Sequence, residues 1–65
     1  MKIFVNGDRH ELEAATLALA LAALGYGGKK IATAVNGQFV AAAARPQRPL
    51  SDGDRIEVVA PMQGG

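Results

Sequence analysis

Few residues in this chain of 65 amino acids could carry out chemistry by themselves. His10 is the only histidine, so no pair of imidazoles can hold a metal ion, and cysteine is absent. Disulfides, thiolate metal sites and a cysteine nucleophile are thereby excluded. A Ser-His-Asp set would have to combine Ser51, His10 and an aspartate, but Ser51-Asp52-Gly53-Asp54 has the composition of a tight turn. Glu11 and Glu13 lie two positions apart and so on one face of a strand. Acid–base catalysis would need one of these carboxyls raised in pKa, and nothing near them in sequence would raise it. A solvated strand face is the better reading. Gly25-Tyr26-Gly27-Gly28 has the composition of a phosphate-binding loop, but such loops open a helix and this one closes a helix. It reads as a cap. What remains is the pair Gly64-Gly65 at the end of the sequence. Backbone without Cβ atoms can thread a channel too narrow for any other residue, and the Gly65 carboxylate is sterically open to attack on ATP. Small terminal residues without a role are the competing reading.

A chain of this length supports one domain, residues 1–65, with a flexible tail from about residue 61. Hydrophobic residues make up 49% of it and charged residues 20%, which suits a globular fold rather than disorder. A deep catalytic cleft is hard to build at this size, because the few large side chains are needed for packing. The net charge is +1, and Lys29-Lys30 and Arg45/Arg48 are the only local basic excesses. Nucleic-acid binders concentrate Lys and Arg on one face. Here both clusters read as solvated loops, and nucleic acid is not an expected partner. The uncharged stretch from Ala14 to Gly28 is apolar only as far as Leu24, short of the roughly 20 residues that a membrane span needs. A signal peptide is rejected as well, since Glu11 and Glu13 occupy the place of its basic region and cleavage would remove the core. A cytoplasmic protein is expected, and the lack of cysteine is compatible with a reducing compartment.

The elements that must position Gly65 are short. Lys2-Ile3-Phe4-Val5 is a β-branched and aromatic run, and Asn6-Gly7 is the preferred pair for a type I′ turn. The return strand is predicted at about Arg9 to Glu13, with Leu12 inward and His10 on the exposed rim. Thr16 is placed to cap a helix whose apolar stripe is Leu17, Leu21 and Leu24, with Leu19 off the stripe and Gly25 as its left-handed stop. Ile31 to Val35 alternates as a strand, Asn36-Gly37 repeats the hairpin turn, and Gln38-Phe39-Val40 returns. Ala41 to Pro49 reads as a connection whose two prolines forbid a central strand, with Leu50 plugging the core beyond it. Arg55-Ile56-Glu57-Val58-Val59 is the last strand, Ile56 and Val58 inward, and Pro61 ends it. This layout is α+β, with one helix covering one face of a sheet of four to five strands.

Four blocks of the sequence carry a family resemblance. They are Met1-Lys2-Ile3-Phe4-Val5-Asn6-Gly7, Ala34-Val35-Asn36-Gly37-Gln38-Phe39-Val40, Leu50-Ser51-Asp52-Gly53-Asp54-Arg55-Ile56-Glu57-Val58 and Val59-Ala60-Pro61-Met62-Gln63-Gly64-Gly65. In this order and at this length the chain resembles the β-grasp sulfur carriers, and most of all the ThiS family of the thiamine pathway. The resemblance implies a ubiquitin-like β-grasp with the first and last strands parallel and central. It also implies that Gly65 is the sulfur-bearing residue. A ThiF-like partner would adenylate its carboxylate with MgATP, sulfur would replace AMP, and a ThiG-like thiazole synthase would take sulfur from the thiocarboxylate. The chain itself would then be a carrier with no catalytic residues, no bound cofactor and no metal. Ala41-Ala42 stands where the family often has Pro-Arg, which puts any polar partner contact there in doubt.

Within this reading Gly64 supplies clearance behind Gly65, and Phe39, Val59 and Met62 are candidates for an apolar docking patch near the tail. For each of the three, a place in the core or incidental exposure is the alternative. A molybdopterin-synthase-type sulfur carrier subunit and a ubiquitin-like modifier share the fold and the tail. The short length and Met62-Gln63 favour the thiamine branch. A small binding domain with an inert tail is the rival from another class.

Overall fold

The structure, a computed structural model, describes residues 1–27 and 30–60. Strands β1 (Lys2–Val5) and β2 (Asp8–Glu11) form the first hairpin, followed by helix α1 (Leu17–Ala23). Strands β3 (Ala32–Val35) and β4 (Gln38–Val40) form the second hairpin, a 3₁₀ helix spans Ala42–Gln47, and β5 (Arg55–Val59) is the last element among the described residues. The sheet order is β2-β1-β5-β3-β4. β5 lies at the centre, parallel to β1 and antiparallel to β3, as the family resemblance implied.

Both hairpin turns have the backbone that Asn-Gly favours. Asn6 and Asn36 sit at φ 50° and 51°, and Gly7 and Gly37 at 87° and 83°, the positive values that a type I′ turn demands of both central residues. Because a two-residue turn closes at once, Val5 pairs with Asp8, and the return strand starts and stops earlier than predicted, at Asp8–Glu11. That register sets His10 opposite Ile3 and half-buries it, rather than leaving it on an exposed rim. Leu12 lies past the strand's end but still packs against the core.

Helix α1 starts where Thr16 Oγ1 accepts from Leu19 N (3.3 Å) and stops at Gly25, φ 91°. Leu17 and Leu21 are buried and Leu24 packs at the margin, with Ala20 fully buried between them. Leu19 points away and is 56% exposed. A helix of 7 residues is unstable in isolation, so burial of this stripe on Ile3, Val5, Val35, Ile56 and Val58 is what holds it.

The segment from Ala41 to Pro49 is more ordered than a plain connection. The alanines favour helix, Ala44 N donates to Ala41 O (2.9 Å), and Pro46, which has no N–H to give, is accommodated because the 3₁₀ turn is short and exposed. Arg45 is not a solvated loop residue as its sequence context suggested. It is half-buried, with Nε donating to Thr33 Oγ1 (3.0 Å) and Nη2 to Ile31 O (2.6 Å). Thr33 Oγ1, itself buried, in turn donates to Val40 O (2.8 Å). Arg48 O in turn accepts from Leu17 N (2.9 Å), satisfying one of the free amides at the start of α1. Thr33→Val should therefore lower unfolding free energy by about 1–3 kcal/mol despite its equal volume, because two partners lose their hydrogen bond. Urea titration should show a lower midpoint at an unchanged slope.

Candidate functional site

The residues flanking the end of β5 define the region from which the tail departs. β5 alternates cleanly, with Ile56 and Val58 buried and Arg55, Glu57 and Val59 exposed. Three backbone and side-chain ties fix its start. Phe4 N donates to Asp54 O (2.9 Å), Asn36 Oδ1 accepts from Arg55 N (3.0 Å), and Asn36 Nδ2 donates to Asp54 Oδ1 (3.0 Å). Further along, Asn6 N donates to Ile56 O (2.9 Å), and the Asn6 side chain bonds both backbone groups of Val58. Sequence reasoning assigned these asparagines a turn role only. The repetition of Asn at the first position of both turns, where Asp or Gly would also serve, is the one signal that could have marked them.

Two of the three candidate docking residues face the same side of the sheet. Phe39 pairs with Ala34 and Val59 with Ala32, so both lie on the face turned away from α1. Phe39 is 73% and Val59 62% exposed, which removes the core alternative for both. Ala32 and Ala34 both lie on β3, between β4 with Phe39 and β5 with Val59, so the apolar surface is a low saddle with a large residue on either side. Leu19 lies on the helix layer, away from that saddle. A shallow open groove crosses β5 between Phe4, Arg55, Glu57 and the two hairpin tips. Met62, Gly64 and Gly65 lie outside the described residues, as does the expected flexible tail from about residue 61.

Among the described residues, the polar groups elsewhere form no catalytic set. Glu13 accepts from the Met1 ammonium (2.7 Å), and Glu11 takes Arg9 Nη2 (3.0 Å) and lies 3.7 Å from the same ammonium. These carboxylates are ion-paired rather than merely solvated, and Glu13 falls beyond the strand. The hydrogen bond from Arg9 and the nearby ammonium hold Glu11 below its ordinary pKa, the opposite of what a general acid requires. No group of His, Asp and Glu suited to a metal ion occurs among the described residues. No helix among them is long and apolar enough to cross a membrane.

The sequence model of the ThiS family matches residues 3–65. The chain belongs to the ThiS family. It is 41% identical to the sulfur carrier protein ThiS of Thermus thermophilus over 63 residues, 97% of this chain and 98% of that one. It is also 33% identical to a thiazole synthase of Paramagnetospirillum magneticum over 66 residues, 100% of this chain but only 20% of that protein. The crystal structure of the thiamine biosynthesis protein (ThiS) from Geobacter metallireducens superposes with a TM-score of 0.78 at 28% identity, covering 100% of both chains. The fold is thus the β-grasp that the resemblance implied, and by its family the chain is a carrier rather than an enzyme. Ala41 and Ala42, where a ThiS chain often carries Pro-Arg, are exposed at the start of the 3₁₀ helix and offer no charge there.

The start of β5 is anchored by one carboxylate, that of Asp54. Burial pushes the Asp54 carboxyl up, but hydrogen bonds from Asn36 and from Ser51 N (2.8 Å), with the charge of Arg48, outweigh it and hold it below its ordinary value. A carboxyl with a folded pKa below its unfolded one stabilises fully above the unfolded value and loses that contribution as pH falls through the folded one. Wild-type stability should therefore decline below about pH 4. Asp54→Asn should be less stable at neutral pH and show a flatter acid limb, measured by urea midpoints across that range.

Proposed function

We propose that this chain carries sulfur for thiazole formation in thiamine biosynthesis, on the carboxylate of Gly65. A carboxylate is a poor electrophile, so a leaving group must be installed before sulfur can attack. A Gly65 oxygen attacks the α-phosphorus of MgATP in the site of a ThiF-like adenylating partner, and pyrophosphate leaves. Hydrosulfide then attacks the acyl carbon and AMP departs, leaving the thiocarboxylate at the very tip of the chain. A ThiG-like thiazole synthase withdraws that sulfur. Nucleotide chemistry belongs to the partner, which accounts for a carrier without a nucleotide motif. Because sulfur rides on the main-chain carboxylate, the carrier also needs no cysteine. The activating step consumes MgATP, and we place it in the cytoplasm.

The observation that carries this reading is the family match running through residue 65, on a fold whose central strand ends at Val59. Likeness to a fifth of a protein named thiazole synthase supports the pairing with that enzyme, since a carrier-like segment there shares one polypeptide with the synthase. Gly64 gives the clearance that lets the terminus enter a narrow active site. The saddle of Phe39, Val59, Ala32 and Ala34 lies beside the point where the tail departs, and a partner that swallows the tail meets it. Exposed apolar pairs of this kind are where a partner gains most of its binding energy.

Intact mass spectrometry after incubation with the activating enzyme, MgATP and a sulfur donor tests the reading. Wild type should exchange one oxygen for sulfur, located on Gly65. Deletion of Gly65 or Gly64→Val should abolish or severely reduce the exchange while the urea midpoint stays unchanged. Normal loading of either variant would refute the role of the tail, and isopeptide conjugates without a thiocarboxylate would favour a protein modifier instead. Phe39→Asp and Val59→Asp should each weaken partner binding about 10- to 100-fold without destabilising the fold, measured by titration calorimetry.

A further inference from the structure

The edge of β5 that faces β1 outlasts its partner strand. Asn36 N donates to Arg55 O (2.7 Å), which fixes the alternation of the ladder. Arg55, Glu57 and Val59 turn their backbone groups toward β3, and Asp54, Ile56 and Val58 turn theirs toward β1. Asp54 O and Ile56 O find the amides of Phe4 and Asn6, each at 2.9 Å. At Val58, β1 has already entered its turn, since the parallel register stops at Val5 opposite Ile56. The side chain of Asn6 takes over there. Its Oδ1 accepts from Val58 N at 2.8 Å, and its Nδ2 donates to Val58 O at 3.0 Å. A primary amide met edge-on offers the same donor and acceptor as one more strand residue. The left-handed backbone of Asn6, φ 50°, aims it at that position.

We propose that Asn6 is a positioning residue for loading of the tail. By completing the ladder at Val58 it fixes the direction in which the chain leaves the sheet. A partner then has less backbone to order when it draws the terminus into its active site. The role rests on the sulfur-carrier reading. Asn6 touches no reacting atom and acts only through Val58, which precedes Gly65 by seven residues. Its twin Asn36 occupies the same turn position with φ 51°, but ties the other end of β5. That makes it an internal control for turn and stability effects.

Asn6→Gly separates turn from clamp, because glycine adopts the required backbone and brings no side chain. Asn6→Asp keeps the acceptor for Val58 N–H and loses the donor. The expected results for Asn6→Gly are about tenfold faster hydrogen exchange at the Val58 amide and about a tenfold higher KM for the carrier in loading by the ThiF-like enzyme. kcat should change by less than about twofold, because the bound tail is ordered by the partner in both chains. Asn6→Asp should fall between, and Asn36→Gly should keep the wild-type KM. A folded Asn6→Gly chain with wild-type Val58 exchange or wild-type KM would overturn the role. So would an equal rise in KM in Asn36→Gly. If wild type gains no sulfur, the carrier reading and this role fall together. A loaded wild type with an unshifted KM in Asn6→Gly removes the role alone.

Discussion

Everything in this molecule depends on β5 being held between two hairpins that share no pairing with each other. β1 with β2 and β3 with β4 are local structures, each closed by its own Asn-Gly turn. Neither makes a sheet alone, since a lone hairpin is marginal in water. Only when β5 pairs with β1 on one side and β3 on the other do Ile56 and Val58 complete the layer under α1. That pairing joins residues from opposite ends of the sequence, through Lys2 N to Asp52 Oδ1 (2.7 Å) and Gly53 N to Lys2 O (2.7 Å). Loop-closure entropy makes such contacts the late ones to form. The core is therefore finished by the same strand that leads into the tail, and a chain that has not closed its sheet has not fixed the base of its tail.

Local signals made most of the architecture legible. Asn6-Gly7 and Asn36-Gly37 need positive φ at both positions, so the turns could be read directly and the strands on either side followed. Thr16, the Leu17–Leu21–Leu24 stripe and Gly25 bounded the helix for equally local reasons. The alternation of Arg55 to Val59 announced which side chains of β5 would be buried. Strand order was not readable from periodicity, because parallel pairing of β1 and β5 leaves no mark in either strand. It came only with the family resemblance.

What escaped the sequence was set by long-range hydrogen bonding. Arg45 stands between alanine and proline in a basic patch, and nothing nearby in sequence shows that Thr33 Oγ1 and Ile31 O await it. Asn6 and Asn36 satisfied their turns so fully that a second use of their side chains was invisible. His10 was misjudged by one step of logic. A strand that begins immediately after a two-residue turn has its register fixed by that turn, and this register puts His10 on Ile3's side of the sheet. Of the docking candidates, exposure of Phe39 and Val59 could be guessed but not their shared face, which follows from both strands pairing with β3.

The placement of polar groups then explains why a chain this small leaves reaction chemistry to others. Several ionised or amide groups that could have been recruited to a site are already committed to closing the fold. Glu13 and Glu11 hold the Met1 ammonium, Asp54 is fixed by Asn36 and Ser51, and Arg45 braces the 3₁₀ helix. A catalytic carboxyl needs a pKa near the working pH, yet Glu11 and Asp54 are both held low by the partners that give them structural value. Raising either would mean giving up a contact the sheet relies on. A carboxylate on the main-chain terminus, as proposed, escapes that conflict. Under the proposed role, a reactive carboxylate there would cost the core nothing, since no side chain would have to be withdrawn from packing to supply it. The fold needs only to hold β5 firmly and keep an apolar saddle beside its end.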